Sequence, residues 1–288
     1  MVAALLSVLF DGVAYGSVLF VISVGMSVTM GLMNFINLAH GAFAMFGGYL
    51  AIALMTRGGL PFAAALPVVL VVLGAAGAVL ERLLYRRVAR TRPLDQVLFT
   101  IGLSYIATAA ATYAWGPSQQ RVALPAALAG QLHLGAVDLG VYRLFLIAVV
   151  IAITAALHAV VRRTRFGAQL RASVDHPQAA AGVGIPVDRV FTASFALGSG
   201  LAGLGGALGI DVLGLDPTFP FKFMVYFLVV VVVGGEGSIL GSAAAAIALG
   251  VFDVVGKYYI PSIGGFLIYG LMVALLLVFP HGLFKART

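Results

Sequence analysis

The stretch Met33–Leu50, MNFINLAHGAFAMFGGYL, decides how the chain is read: it sets Asn34, Asn37 and His40 in a hydrophobic run and then spaces glycines at 41, 47 and 48. A side-chain amide or imidazole in hydrocarbon is costly unless it faces a cavity or finds a partner. A polar, glycine-broken apolar segment therefore points to a pathway through a membrane. A second reading is compatible with the first: the three polar residues cap or brace a broken helix by bonding backbone groups that the break releases. Residues 31–41 then form a loop, a re-entrant turn or an unwound mid-membrane helix.

Composition extends that reading to the whole chain. Of 288 residues, 62% are hydrophobic and 9% charged, with mean hydropathy +1.10, whereas a soluble domain carries about a quarter charged residues. Apolar runs near the roughly 20 residues needed to cross about 30 Å of hydrocarbon recur along the length. The expectation is an all-α, polytopic transmembrane bundle forming one domain over 1–288, with no room for a soluble catalytic domain and no enzymatic activity of its own. The first basic residue is Arg57, so the N-terminus lacks the positive flank of a signal peptide and the first apolar segment is expected to be retained. The absence of cysteine removes disulfides, thiolate metal sites and Fe–S clusters.

The net charge of +7 is distributed as a membrane topology, not as a nucleic-acid stripe. Arg82, Arg86, Arg87, Arg90 and Arg92 form one cluster, and Arg162, Arg163, Arg165, Arg171 and Arg189 a second. Lys285 and Arg287 end the chain. By the positive-inside rule all three segments face the cytoplasm. Helices are predicted at about 5–30, 35–56, 60–84, 94–115, 142–161, 190–212, 221–234, 242–256 and 264–280, giving eight or nine spans with the N-terminus outside and the C-terminus cytoplasmic. The longest external connection, Gly116–Val141, is a candidate docking surface for an extracytoplasmic partner. Asp11, Asp211 and Asp253 fall near predicted helix ends, where water can reach them.

Small residues recur every fourth position in Gly234, Ser238, Ser242, Ala246 and Gly250, and again in Gly198, Ala202 and Gly206, which reads as helix-packing faces. The run Val229–Val233 reads as lipid-facing or buried filler. Gly234, Gly235, Glu236, Gly237 and Ser238 form a second glycine-rich break, with Glu236 read as a loop carboxylate. Transporters built from inverted repeats often carry such a pair of breaks, with the site between the halves.

A third segment, Thr164–Pro186 (TRFGAQLRASVDHPQAAAGVGIP), is too polar to span. Residues 169–176 read as a short amphipathic helix with Leu170 and Val174 on one face and Arg171 and Asp175 on the other. Such a helix suits a protein partner better than a lipid surface; the bland alternative is a solvated loop.

These three segments together, NFINLAHGAFAMFGGY, TRFGAQLRAS with Asp175 and AAAGVGI, and VVVGGEGSILG before an Ala-rich helix, resemble the permease subunit of branched-chain amino-acid importers of the ATP-binding-cassette class, the LivH type. The resemblance runs to about Phe284 and implies a type II importer bundle with broken helices and a cytoplasmic coupling helix in the loop at about 162–189. On that resemblance Arg171, Ala172 and Asp175 dock an ATPase, and Asn34, Asn37, His40, Gly41, Gly47 and Gly48 line the translocation path. The implied partners are a second permease, completing a heterodimeric pore, two ATPase subunits and an extracytoplasmic solute-binding protein, in a bacterial inner membrane. The cargo would be branched-chain amino acids or a related amide, urea or carboxylic acid. The chain has no G-x-x-x-x-G-K-[ST] loop, its only Gly-Lys pair being Gly256–Lys257, so ATP belongs to the partners and no cofactor or metal is expected here.

Two rivals stand beside this. A stand-alone channel or secondary carrier needs a ring of charges or an intramembrane carboxylate pair, and neither is apparent in the sequence. A haem-binding membrane anchor needs paired histidines, whereas His40, His133, His158, His176 and His281 lie in separate segments.

Overall fold

The structure is a computed structural model that describes residues 2–33, 35, 37–89, 91–122, 124–134, 137–235 and 237–278. Asn34 and Glu236 lie outside the described residues. Among the described residues twelve helices follow in order: α1 (Val2–Met33), α2 (His40–Thr56), α3 (Phe62–Val88), α4 (Pro93–Trp115), α5 (Val141–Arg163), α6 (Arg165–Asp175), α7 (Pro177–Gly182), α8 (Val187–Leu208), α9 (Ile210–Leu213), α10 (Phe219–Gly234), α11 (Ile239–Tyr259) and α12 (Gly264–Val278). A hairpin of β1 (Gln131–Leu134) and β2 (Val137–Gly140), in the register Gln131↔Gly140, sits between α4 and α5.

Among the described residues six helices, α1, α3, α4, α5, α8 and α11, are long and apolar enough to cross a bilayer, and α2, α10 and α12 are shorter apolar helices. Each of the nine predicted helices is present, and the protein is a multi-pass membrane protein. The predicted helix 35–56 starts later, at His40, after a turn at Leu38 and Ala39. The predicted helix 190–212 ends at Leu208, where Gly209 lets a separate short turn begin.

Helix α8 is the centre of the bundle, because its sequence SGLAGLGGAL offers small residues on several sides at once. Gly198 meets Gly25 of α1, Gly206 meets Ala44 of α2, and Gly200 and Gly203 meet Leu70 and Leu73 of α3. Without a hydrophobic drive between helices in lipid, such backbone approach supplies the packing contact. Gly47 lies so close to the Gly203 backbone that no β-carbon fits between them. The same logic joins α1 to α11, where Gly250 meets Gly12 and Gly16, and the Ser242 hydroxyl donates to Ser27 Oγ at 3.0 Å. The two small-residue stripes are thus packing faces, and Val229, Val230, Val231 and Val233 are buried filler.

One end of the bundle, the basic end, gathers the arginines of α3, α5 and α6. At the opposite end Arg143 bonds Asp11, and the Tyr142 hydroxyl donates to the Leu208 carbonyl at 2.6 Å. Asp253 corrects the expectation of a water-solvated carboxylate. It is 1% exposed and accepts from Lys257 Nζ at 2.6 Å and from the Tyr226 hydroxyl at 3.2 Å, since the one-turn spacing of Asp253 and Lys257 pairs them on one face of α11.

Candidate functional site

The first break lies between α1 and α2. Asn37 and His40, polar groups in an apolar stretch, are both buried, and the side chain of each bonds a backbone group. Asn37 Oδ1 accepts from the Ala39 N–H at 3.1 Å and from the Tyr85 hydroxyl at 3.3 Å. Its carbonyl accepts from the His40 N–H at 3.2 Å, and Ser104 of α4 donates to the Leu38 carbonyl at 3.4 Å. His40 Nε2 lies 2.8 Å from the Ile22 carbonyl oxygen of α1; that partner can only accept, which puts the ring proton on Nε2. Asn37 Nδ2 is buried with no acceptor among the described residues. Gly41 faces Pro220 and Phe227 of α10, with room for a β-carbon only at 3.0 Å from Pro220 Cα. Gly48 faces the Leu215 side chain.

The second break joins α10 to α11. Gly235 and Gly237 have φ of 89° and 77°, a left-handed conformation that side-chain-bearing residues avoid. The Gly237 N–H donates to the Ser27 carbonyl at 3.1 Å. Ser238 caps α11 by accepting from the Gly241 N–H at 3.1 Å, and Gly234 and Gly241 pack backbone to backbone. The two breaks do not touch through these residues; each is tied to α1, one at Ile22 and the other at Ser27.

The third element is α6 with α7 at the basic end. The helix begins at Arg165, four residues before the predicted start, because Thr164 caps it by accepting from the Gly167 N–H at 3.1 Å. Its inner face is Gly167, Leu170 and Ser173, and Leu170 packs on Val28 of α1 and Val190 of α8. Val174, predicted beside Leu170 on the apolar face, is instead exposed, because that face follows the spacing 167, 170, 173. Arg171 and Asp175 are exposed and Ala172 half-buried. The Arg171 guanidinium donates to the Val161 carbonyl at the C-terminal end of α5, so it also fixes α6 to that helix.

A fourth feature escaped sequence reasoning. Near its basic end α3 widens over Glu81–Tyr85 into a single π-turn, in which the Arg86 N–H reaches the Glu81 carbonyl. Glu81, 1% exposed, accepts from Thr192 Oγ1 of α8 at 2.7 Å and from Arg86 Nε at 3.1 Å. The Arg86 guanidinium also reaches Asp188 Oδ2 at 3.2 Å, the Asp188 carbonyl at 3.1 Å and Thr192 at 3.0 Å. An acidic residue at the end of a long apolar run was the available signal. Among the described residues no group of three His, Asp or Glu side chains is placed to hold a metal.

A bundle of apolar helices with two glycine-bearing breaks and an amphipathic helix docked at its basic end is the frame of a multi-pass membrane permease. The sequence profile of the family described as "Branched-chain amino acid transport system / permease component" matches residues 8–276, and the chain belongs to that family. It is the permease subunit of an ATP-binding-cassette importer, a machine that includes ATPase components. Over 290 residues it is 27% identical to the high-affinity branched-chain amino acid transport system permease protein LivH of Escherichia coli, covering 96% of this chain and 94% of that one. The LivH protein of Salmonella typhimurium is 29% identical over the same shares. The permease protein BraD of Pseudomonas aeruginosa is 26% identical, again over 96% of this chain and 94% of its own. No solved structure matches the chain significantly.

Proposed function

We propose that this subunit forms half of a translocation pathway for branched-chain amino acids, or a related small amide or carboxylic acid, delivered by an extracytoplasmic binding protein. A second permease completes the pore. Two ATPase subunits bind ATP and dock at the basic end, which faces the cytoplasm of a bacterial inner membrane, leaving the N-terminus outside. The observation that carries this reading is α6: a capped helix that buries Leu170 against α1 and α8 while leaving Arg171 and Asp175 exposed. A helix seated on two membrane helices and open on its outer face is placed to pass a partner's movement inward. Asn37, His40 and Gly41 sit at the break between α1 and α2, and the Asn37 amide, which has no acceptor among the described residues, is a donor that a carboxylate or amide solute can use when the break opens.

The test is reconstitution of the chain with its partner permease, ATPases and binding protein in vesicles, with labelled leucine. ATP-dependent accumulation, competed by isoleucine and valine, is expected. Uptake that runs down its gradient without ATP would identify a channel instead.

A further inference from the structure

Two separate ties meet in the π-turn of α3. Arg86, directly after the turn, is bonded to Asp188 and Thr192 in the first turns of α8, where the chain leaves the coupling segment. Tyr85, inside the turn, is fully buried and donates to Asn37 Oδ1, while its ring meets Phe35 edge-on at 5.6 Å and Phe195 at 4.7 Å. The π-turn makes both ties possible. With i,i+4 bonding Tyr85 would stand over Glu81; with the wider i,i+5 turn Arg86 takes that place and Tyr85 is swung towards the break.

We propose that Glu81–Arg86 is the relay through which the position of the coupling segment sets the state of the Asn37–His40 break. The inference rests on the importer reading above. Movement of α6 and α7 shifts the start of α8, and Asp188 and Thr192 carry Arg86 and Glu81 with it. A slip of the π-turn to regular α-helical bonding withdraws the Tyr85 hydroxyl from Asn37. The wide register of this structure and the regular α-helical one would be the two discrete arrangements that coupling between distant sites requires. Glu81, Tyr85 and Arg86 act as positioning residues and touch no solute.

In the complete reconstituted importer the readout is solute moved per ATP hydrolysed, for Tyr85→Phe, Arg86→Gln and the double variant. Each single change should lower that ratio about threefold or more, and the double variant should be no worse than the worse single, because both interrupt one series connection. A second readout uses Leu38→Cys in this cysteine-free chain. Its reactivity to a thiol reagent should change when ATP binds in the unaltered background and stay constant with Arg86→Gln. The relay is overturned by an unchanged ratio in both single variants, by losses that multiply, or by ATP-dependent labelling that persists with Arg86→Gln. Absence of ATP-driven uptake by the unaltered protein would overturn the importer reading itself, a result separable from the others.

Discussion

His40 Nε2 is held 2.8 Å from the carbonyl oxygen of Ile22, a backbone group in the middle of α1. The bond anchors the start of α2 inside the bundle, where His40 and Ile22 are both buried. The second break hangs from the same helix through Gly237 and Ser27. Ile22 and Ser27 point to different sides of α1, at about 100° of turn per residue. α1 is thus a post with one irregular segment fastened to each side, and its own small residues, Gly16 and Gly25, let α11 and α8 close around it.

His40→Ala should remove a bond worth roughly 1–2 kcal/mol in a membrane setting. Uptake by the reconstituted importer should fall about fivefold to tenfold, with assembly retained. His40→Gln, which restores a donor of similar reach, should recover most of it. Equal losses in both variants would show that the imidazole ring itself is required.

Asn37→Leu tests the two roles of the first break against each other. Losing the bonds to Ala39 and Tyr85 should lower uptake of every solute alike if Asn37 is only a brace. A pathway role adds a change in competition between leucine, isoleucine and valine. The measurement is the inhibition constant of each competitor in the variant and the unaltered importer.

Gly47→Ala should be among the most damaging single methyl additions in the chain, because the new β-carbon would collide with the Gly203 backbone in the centre of the bundle. Overpacking of this kind costs about 1–3 kcal/mol or more. The detergent-solubilised protein should lose several degrees of melting temperature. Gly102→Ala on α4, where nothing lies within 4 Å of the added carbon, should be neutral or slightly stabilising through helix propensity.

Most of the helix frame was legible because each span is an apolar run closed by charge, proline or glycine. The small-residue stripes were legible as packing faces for the same reason: lipid leaves few other uses for them. The start of α6 was not, since Thr164 could be recognised as its cap only once Gly167 was seen to donate to it. The π-turn left no local mark, because a slip from i,i+4 to i,i+5 bonding changes no residue type. Its partners Thr192 and Asp188 lie more than a hundred positions away in sequence. Asp253 was misplaced by its nearness to a helix end, although Lys257 one turn later carried the signal of a pair.

Lys257→Met should destabilise the bundle by about 1–3 kcal/mol, because it takes the ammonium away from the buried Asp253 carboxylate and leaves it neutral hydroxyl partners such as Tyr226. Lys257 is half-exposed, which keeps the loss below that of a fully buried pair. Adding Asp253→Leu to Lys257→Met should restore most of the melting temperature. A double variant less stable than Lys257→Met would show that the carboxylate has a role beyond the pair.

Orientation and coupling can be tested in one cysteine-free background. Ser173 is buried on the inner face of α6 and is a poor labelling site from either side, whereas Val183 in the coupling segment is 80% exposed and Gln131 lies on the opposite hairpin. Gln131→Cys should react with an impermeant thiol reagent added to intact cells, and Val183→Cys only after the cells are opened. With that orientation, Arg171→Glu and Asp175→Arg reverse charge on the exposed face of α6, the one proposed to meet an ATPase. Reversing one partner of an interfacial charge pair costs a few kcal/mol, so about a tenfold or larger loss of uptake is expected with the permease still inserted. Arg171 also donates to the Val161 carbonyl, so Arg171→Lys separates the two functions. If docking charge is what matters, Lys should retain most uptake. Loss of uptake with Lys equal to that with Glu would place the role of Arg171 in fastening α6 to α5. Labelling of Val183→Cys in intact cells would invert the topology and remove the ATPase from this face altogether.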